Sequence, residues 1–193
     1  VLTPVAELEP VSIGGVLVSR ATLHNEEELR NLDVRVGDTV LVQRAGDVIP
    51  DILSVNLEKR PEKTEEFVFP KECPVCHSKA VRYKNEVAWR CVNVDCPAQK
   101  IQGIIHFVSK AGLDVSGVGE KWVEKLVETG RVENIADLFT VTAKELLAFE
   151  GMGDVSAQKF VDSLHEVKHT ATLARFISSL GIRLVGEQTA KTL

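Results

Sequence analysis

Cys73-Pro74-Val75-Cys76, then fourteen residues to Cys91, then four to Cys96: this stretch divides the 193-residue chain into three parts. Two thiol pairs, each kept close by a tight knuckle, are what a tetrahedral four-sulfur zinc site needs, with metal–sulfur bonds of about 2.3 Å. Four thiolates leave no coordination position for a substrate, so zinc on Cys73, Cys76, Cys91 and Cys96 is expected to fold the segment and not to catalyse. Val81-Arg82-Tyr83 and Val87-Ala88-Trp89-Arg90 suggest a short hairpin between the knuckles. Disulfides are the competing use of four cysteines, and a redox role for Cys73 and Cys76 is another, although no thioredoxin-like βαβ pattern surrounds that pair. The sequence opens without a charged, apolar, small-residue leader, from which a reducing cytoplasm is expected.

The cysteines sit on a basic island. Residues 71–100 hold 6 Lys/Arg against 3 Asp/Glu, whereas 1–70 hold 7 against 13 and 101–193 hold 10 against 12. The overall charge of −5 therefore hides local fields and does not exclude a polyanionic partner. Composition excludes a collagenous, disordered or membrane-spanning chain. With only 5% aromatic residues, several small aliphatic cores are expected in place of one large core, and small cores usually need a staple. The charge steps give three domains: 1–70, 71–100 and 101–193.

Residues 1–70 suggest a small all-β domain. Val16-Leu17-Val18, Thr39 to Arg44 and Val48 to Val55 are strand candidates, with turns at Gly37-Asp38 and Ala45-Gly46-Asp47. The Glu-rich insert from His24 to Leu32 suggests a short helix capped by Asn25. This pattern suits a Greek-key barrel of the oligonucleotide-binding (OB) type, although periodicity alone does not separate it from another small barrel.

From Ile101 the pattern becomes helical and repeats. Ile101 to Ala111 precedes Gly117-Val118-Gly119 and a helix from Glu120 to Glu128. Leu146-Leu147 precede Gly151-Met152-Gly153 and a helix from Asp154 to Val167. Leu173, Phe176, Ile177 and Leu180 precede Leu184-Val185-Gly186 and a segment from Glu187 to Leu193. The final glycines are 34 and 33 residues apart, an internal repeat. A tetratricopeptide scaffold has a similar period but no glycine-apolar-glycine break. Two glycines around one apolar residue suit a tight hairpin between helices, the apolar residue (Val118, Met152, Val185) turning inward while the glycines take unusual dihedrals and approach a partner. Free N–H groups at the following helix start bind phosphate without a positive side chain. A grip of that kind reads no base sequence.

Thr3-Pro4-Val5-Ala6-Glu7-Leu8-Glu9-Pro10-Val11, Ala21-Thr22-Leu23-His24-Asn25, Arg44-Ala45-Gly46-Asp47-Val48-Ile49-Pro50, the four cysteines and the repeated hairpins together resemble the middle and C-terminal portion of bacterial NAD-dependent DNA ligases, over essentially the whole chain and in the family's domain order. The resemblance implies a multidomain fold: a small all-β OB barrel, a four-cysteine zinc finger and all-α helix-hairpin-helix repeats. It implies a DNA-binding portion of an enzyme that seals 5′-phosphate/3′-hydroxyl nicks in replication and repair, through lysine-AMP and DNA-adenylate intermediates. The implied partners are nicked duplex DNA and an adenylation domain, with no membrane and a bacterial cytoplasmic location.

By the same resemblance Arg44, Val48 and Ile49 face DNA near the nick, and Gly117, Gly119, Gly151, Gly153 and Gly186 approach the minor-groove backbone. A solvated arginine, two core aliphatics and plain turn glycines are the simpler alternatives. Structural zinc is implied within the chain, while NAD and Mg2+ are implied to bind the full-length enzyme elsewhere. The chain has no Lys-x-Asp-Gly adenylation motif, and neither the small domain that takes up nicotinamide mononucleotide nor a BRCT domain is recognised. No catalytic residue is expected in it, and alone it is expected to be inactive. Three hairpins occur where the family has four, and Leu184 replaces a glycine in the third. His24, His77, His106, His165 and His169 gain no catalytic role from their spacing. The finish at Ala190-Lys191-Thr192-Leu193, in mid-pattern, suggests a piece of a longer ligase; a free-standing zinc and helix-hairpin-helix DNA-binding module of a repair complex is the alternative.

Overall fold

The computed structural model describes residues 1–43 and 49–193. The chain forms two compact units, Val1–Asn93 and Val94–Leu193.

The first unit begins with a hairpin. Strand β1 (Val5–Ile13) pairs antiparallel with β2 (Val16–Thr22) through Gly14 and Gly15, both left-handed at φ 58° and 79°, the conformation a two-residue hairpin turn needs. Helix α1 (Glu26–Leu32) follows, its first turn capped where the Asn25 side chain accepts from the Glu28 N–H at 3.0 Å. Strands β3 (Val40–Gln43) and β4 (Asp51–Val55) complete a curled sheet of order β1-β2-β4-β3, a half-barrel. Ala21, Leu23, Leu29 and Ile52 are its buried aliphatic core. Such a core buries little area, and a bidentate ion pair helps close it: Arg60 Nε and Nη2 each donate to the Asp38 carboxylate at 2.9 Å, with the Asp38 side chain wholly buried. The Arg60 guanidinium holds the Asp38 carboxyl below its ordinary range.

The expected hairpin between the knuckles is β5 (Ala80–Arg82) against β6 (Trp89–Cys91). It is fastened within the same unit: Leu2 N–H donates to the Trp89 carbonyl at 2.9 Å, and the Trp89 indole N–H donates to Glu26 of α1 at 2.6 Å.

The second unit is helical: α2 (Pro97–Val108), α3 (Glu120–Glu128), α4 (Ile135–Leu138), α5 (Ala143–Leu146), α6 (Asp154–Thr170), α7 (Leu173–Ser179) and α8 (Glu187–Thr192). Phe107, Val123, Leu126, Leu138, Leu146 and Phe160 have no exposed surface and form the centre of one core. Helix α3 has the bounds its apolar period predicts. Helix α2 starts earlier, at Pro97, because proline fits the first helical position. Strand β4 starts at Asp51, so Ile49 and Pro50 of the expected strand lie outside it, and Val48 lies outside the described residues. Strand β1 was not among the expected strands. It is an edge strand, and an edge tolerates Pro10 where a central strand would not. Among the described residues no helix is long and apolar enough to cross a membrane.

The two four-residue helices stand on capping boxes, Asn134 with Asp137 and Thr142 with Glu145. Glu145 also receives Arg131 Nε at 2.6 Å. The Arg131 hydrogen bond, followed by those from Thr142, holds the Glu145 carboxyl at about 2 against an ordinary 4.5. A carboxylate depressed by folding stabilises above its unfolded pKa and loses that contribution as pH falls through the folded one. Glu145 should therefore stabilise the helical unit above pH 4.5 and cease to do so as pH falls towards about 2. Its side chain is 40% exposed, so screening limits the effect to about 1 kcal/mol or less. Thermal unfolding followed by helical circular dichroism should show Glu145→Gln melting lower at pH 7 and converging with wild type towards pH 2.

Candidate metal centre and nucleic-acid interface

The four cysteine sulfurs, 73, 76, 91 and 96, all lie within 4.8 Å of one another. Tetrahedral bonds of about 2.3 Å place sulfurs about 3.8 Å apart, and Cys76 and Cys91 Sγ are at 3.5 Å. No disulfide joins them. Three are buried and Cys76 is half-buried. The first knuckle is built by backbone: His77 N–H donates to the Cys73 carbonyl at 2.9 Å, Cys73 N–H to the Ser78 carbonyl at 2.8 Å, and His77 takes a left-handed φ of 57°. Cys91 ends β6, and Cys96 precedes Pro97 as the N-cap of α2.

The surroundings favour thiolate. Hydrogen bonds from the Ser78 side chain and backbone hold the Cys76 thiol at about 6, and backbone N–H groups of Cys76 and Val75 lower that of Cys73. Donors aimed at sulfur stabilise the form that ligates a metal. The donor set and its closeness fit a closed four-thiolate metal site. His77, beside it, joins the knuckle through its backbone N–H and is exposed. Ser78 was not singled out by sequence reasoning; its place two residues after Cys76 was the available signal.

The glycine pairs divide into two kinds. Gly117 and Gly151 have φ of 80° and 88°. Each is third in a four-residue turn closed by the apolar residue after it: Val118 N–H donates to the Val115 carbonyl at 3.4 Å and Met152 N–H to the Phe149 carbonyl at 3.1 Å. The third hairpin makes the same turn, with Val185 N–H on the Ile182 carbonyl at 3.0 Å, and there Leu184 occupies the left-handed position at φ 64°. Val118 and Met152 are buried as expected, and Val185 is half-buried.

Gly119, Gly153 and Gly186 differ from the expectation of unusual dihedrals. They are the N-caps of α3, α6 and α8, in extended backbone at φ −87°, −94° and −86° that any residue adopts. A Cβ on any of them would meet nothing within 4 Å, and no side chain caps these helix starts. The fold thus explains the first glycine of each pair and gives no reason for the second.

Of the barrel residues expected to face DNA, Arg44 and Val48 lie outside the described residues. Ile49 is described and is 71% exposed, so it is no core residue.

Compared with known proteins, residues 1–64 match the NAD-dependent DNA ligase OB-fold domain, 72–98 the NAD-dependent DNA ligase C4 zinc finger domain, and 112–166 a SAM-like helix-hairpin-helix tandem. Over its whole length the chain is 65% identical to a DNA ligase of Desulfovibrio desulfuricans, 58% to one of Oleidesulfovibrio alaskensis and 56% to one of Lawsonia intracellularis. It covers 27%, 27% and 28% of those proteins.

Leu184 supplies a local test. Left-handed backbone costs a non-glycine residue about 1–2 kcal/mol, and glycine's larger unfolded-state entropy returns roughly 0.5–1 of that. Leu184→Gly should therefore slow amide exchange at Val185 by about two- to fivefold, and Gly151→Leu should speed exchange at Met152.

Proposed function

The chain belongs to the NAD-dependent DNA ligase family, and we propose that it is the part of such an enzyme that holds nicked duplex DNA while a separate domain carries out adenylation. The observation that carries this reading is the open N-cap glycine of each hairpin. Gly119, Gly153 and Gly186 need no special dihedral and leave room for a side chain. Glycine there serves approach from outside, by a rigid group that a Cβ would hold off. The first N–H groups of a helix lack intrahelical acceptors and suit a phosphodiester oxygen.

Gly117 and Gly151 act one step back, setting the turn that aims those N–H groups outward. Arg44, Val48 and Ile49 would add contacts from the barrel; the 71% exposure of Ile49 supports this for that residue. Such contacts position the duplex without reading bases. Zinc on Cys73, Cys76, Cys91 and Cys96 would supply fold stability to the finger, because a structural site couples metal affinity to folding. NAD and Mg2+ chemistry is assigned to the rest of the enzyme by the family resemblance, which ties adenylation to a Lys-x-Asp-Gly motif that this sequence does not contain. A bacterial cytoplasmic location follows from the same reading.

The zinc assignment predicts one zinc per chain purified under reducing conditions. Chelation should melt β5–β6 and release the Trp89 indole from Glu26. In a Trp122→Phe background the emission should shift to the red while helical circular dichroism is largely kept. Metal-free protein with unchanged Trp89 emission contradicts the assignment.

DNA affinity measured at several salt concentrations tests the grip. A cation on a phosphate adds about 0.9 to the slope of log K against log salt. Arg44→Ala should lower both affinity and slope, the latter by about 1. Gly153→Val should lower affinity with little change in slope, because it removes neutral contacts. Its φ of −94° admits valine, so helical content should persist. Wild-type affinity in Gly153→Val would reduce these glycines to turn residues.

A further inference from the structure

Helices α3 and α6 each carry a lysine at the same repeat position: Lys125 is six residues after Gly119, and Lys159 six after Gly153. Neither stays over its own hairpin. The Lys159 stem runs beside the first hairpin, its Cγ and Cδ 3.8 and 4.0 Å from where a Cβ on Gly117 would lie. Lys125 runs the other way, its Nζ donating to the carbonyl of Glu150, next to Gly151, at 3.2 Å. The two repeats thus exchange lysines across their turns. Among the described residues no carboxylate pairs with either ammonium. Lys125 is also steadied over the Trp122 ring, 4.7 Å from its centroid.

The third repeat lacks this device. Thr192 stands six residues after Gly186, and Lys191 is paired with Glu187 of its own helix at 2.8 Å.

We infer that Lys125 and Lys159 are phosphate-contacting residues exchanged between the first two hairpins, so that each phosphodiester seat combines the helix-start amides of one hairpin with the ammonium of the other. This rests on the DNA-holding reading above. The geometry gives each lysine a reason to be where it is. The Lys159 stem passes a turn that has no side chain in the way, and the Lys125 ammonium reaches a carbonyl within the second turn. Exchange also makes the two hairpins one unit, since a phosphate on either engages both second helices.

The test uses the full chain and a nicked duplex at several salt concentrations, with Lys125→Gln, Lys159→Gln, the matching arginine variants, and double mutants with Gly119→Val and Gly153→Val. Each glutamine variant should flatten the salt slope by about 0.9, which at 0.15 M salt is about a fivefold loss of affinity. The arginine variants should restore the slope, a readout that a merely structural role for Lys125 at Glu150 would not move. Lys159→Gln should be non-additive with Gly119→Val and additive within about twofold with Gly153→Val, and Lys125→Gln should show the opposite pairing.

Unchanged slopes in both glutamine variants, with the glycine variants still weakened, overturn the lysine inference and leave the DNA-holding reading standing. Coupling of each lysine to the glycine of its own helix overturns the exchange. Absence of binding by the wild-type chain overturns both readings together.

Discussion

Each of the three four-residue turns that lead into α3, α6 and α8 places its third residue in the left-handed region, and the helical unit depends on that constraint being met three times. Gly117 and Gly151 meet it freely; Leu184 meets it with strain, at φ 64°. Once the turn is set, the next residue is carried inward, so Val118 and Met152 are buried and pack into the common core. The residue after that begins a helix at the surface. Core packing and exposed helix starts are therefore two results of one backbone geometry. A side chain at the left-handed position strains both.

The first unit meets its constraint differently. Its aliphatic core is small, and ion pairs and hydrogen bonds do what area cannot. Arg60 on the buried Asp38 ties the segment after β4 to the turn before β3. Glu26, buried on α1, accepts from both Trp89 and Arg30; burial pushes its pKa up, and those bonds outweigh it and bring the pKa down. Trp89 lies two residues before Cys91 on β6, and its indole N–H on Glu26, together with Arg82 of β5 on Glu27, ties the hairpin to α1.

Much of this was legible in sequence because the signals are local. Cysteine spacing marked the metal group, Asn25 marked the start of α1, and the glycine period marked the hairpins. Features set by tertiary context were hidden. Pro10 masked β1 until its edge position made the proline harmless. Helices α4 and α5 are too short to show a period and exist through their caps. The two glycines of a pair look equivalent in sequence, and only φ separates the one the turn requires from the one it does not. The lysine exchange is invisible for a related reason: period relates Lys125 to Lys159 along the chain, whereas their contacts cross between repeats.

If the hairpins hold DNA as proposed, the acidic composition poses a problem that they must answer at short range. Glu120, Asp154 and Glu187 each stand at the first position of a hairpin helix, where a carboxylate complements the dipole of the free helix and opposes an arriving phosphate. Uncapped amides alone would have to overcome that opposition. A lysine from the opposite repeat supplies positive charge at the turn without giving up the carboxylate, because it comes from another helix. In the third hairpin Lys191 is held by Glu187 of its own helix. On the reading proposed above, the first two hairpins would carry the phosphate grip, and the acidic first turns would set how strongly that grip depends on the lysines exchanged between them.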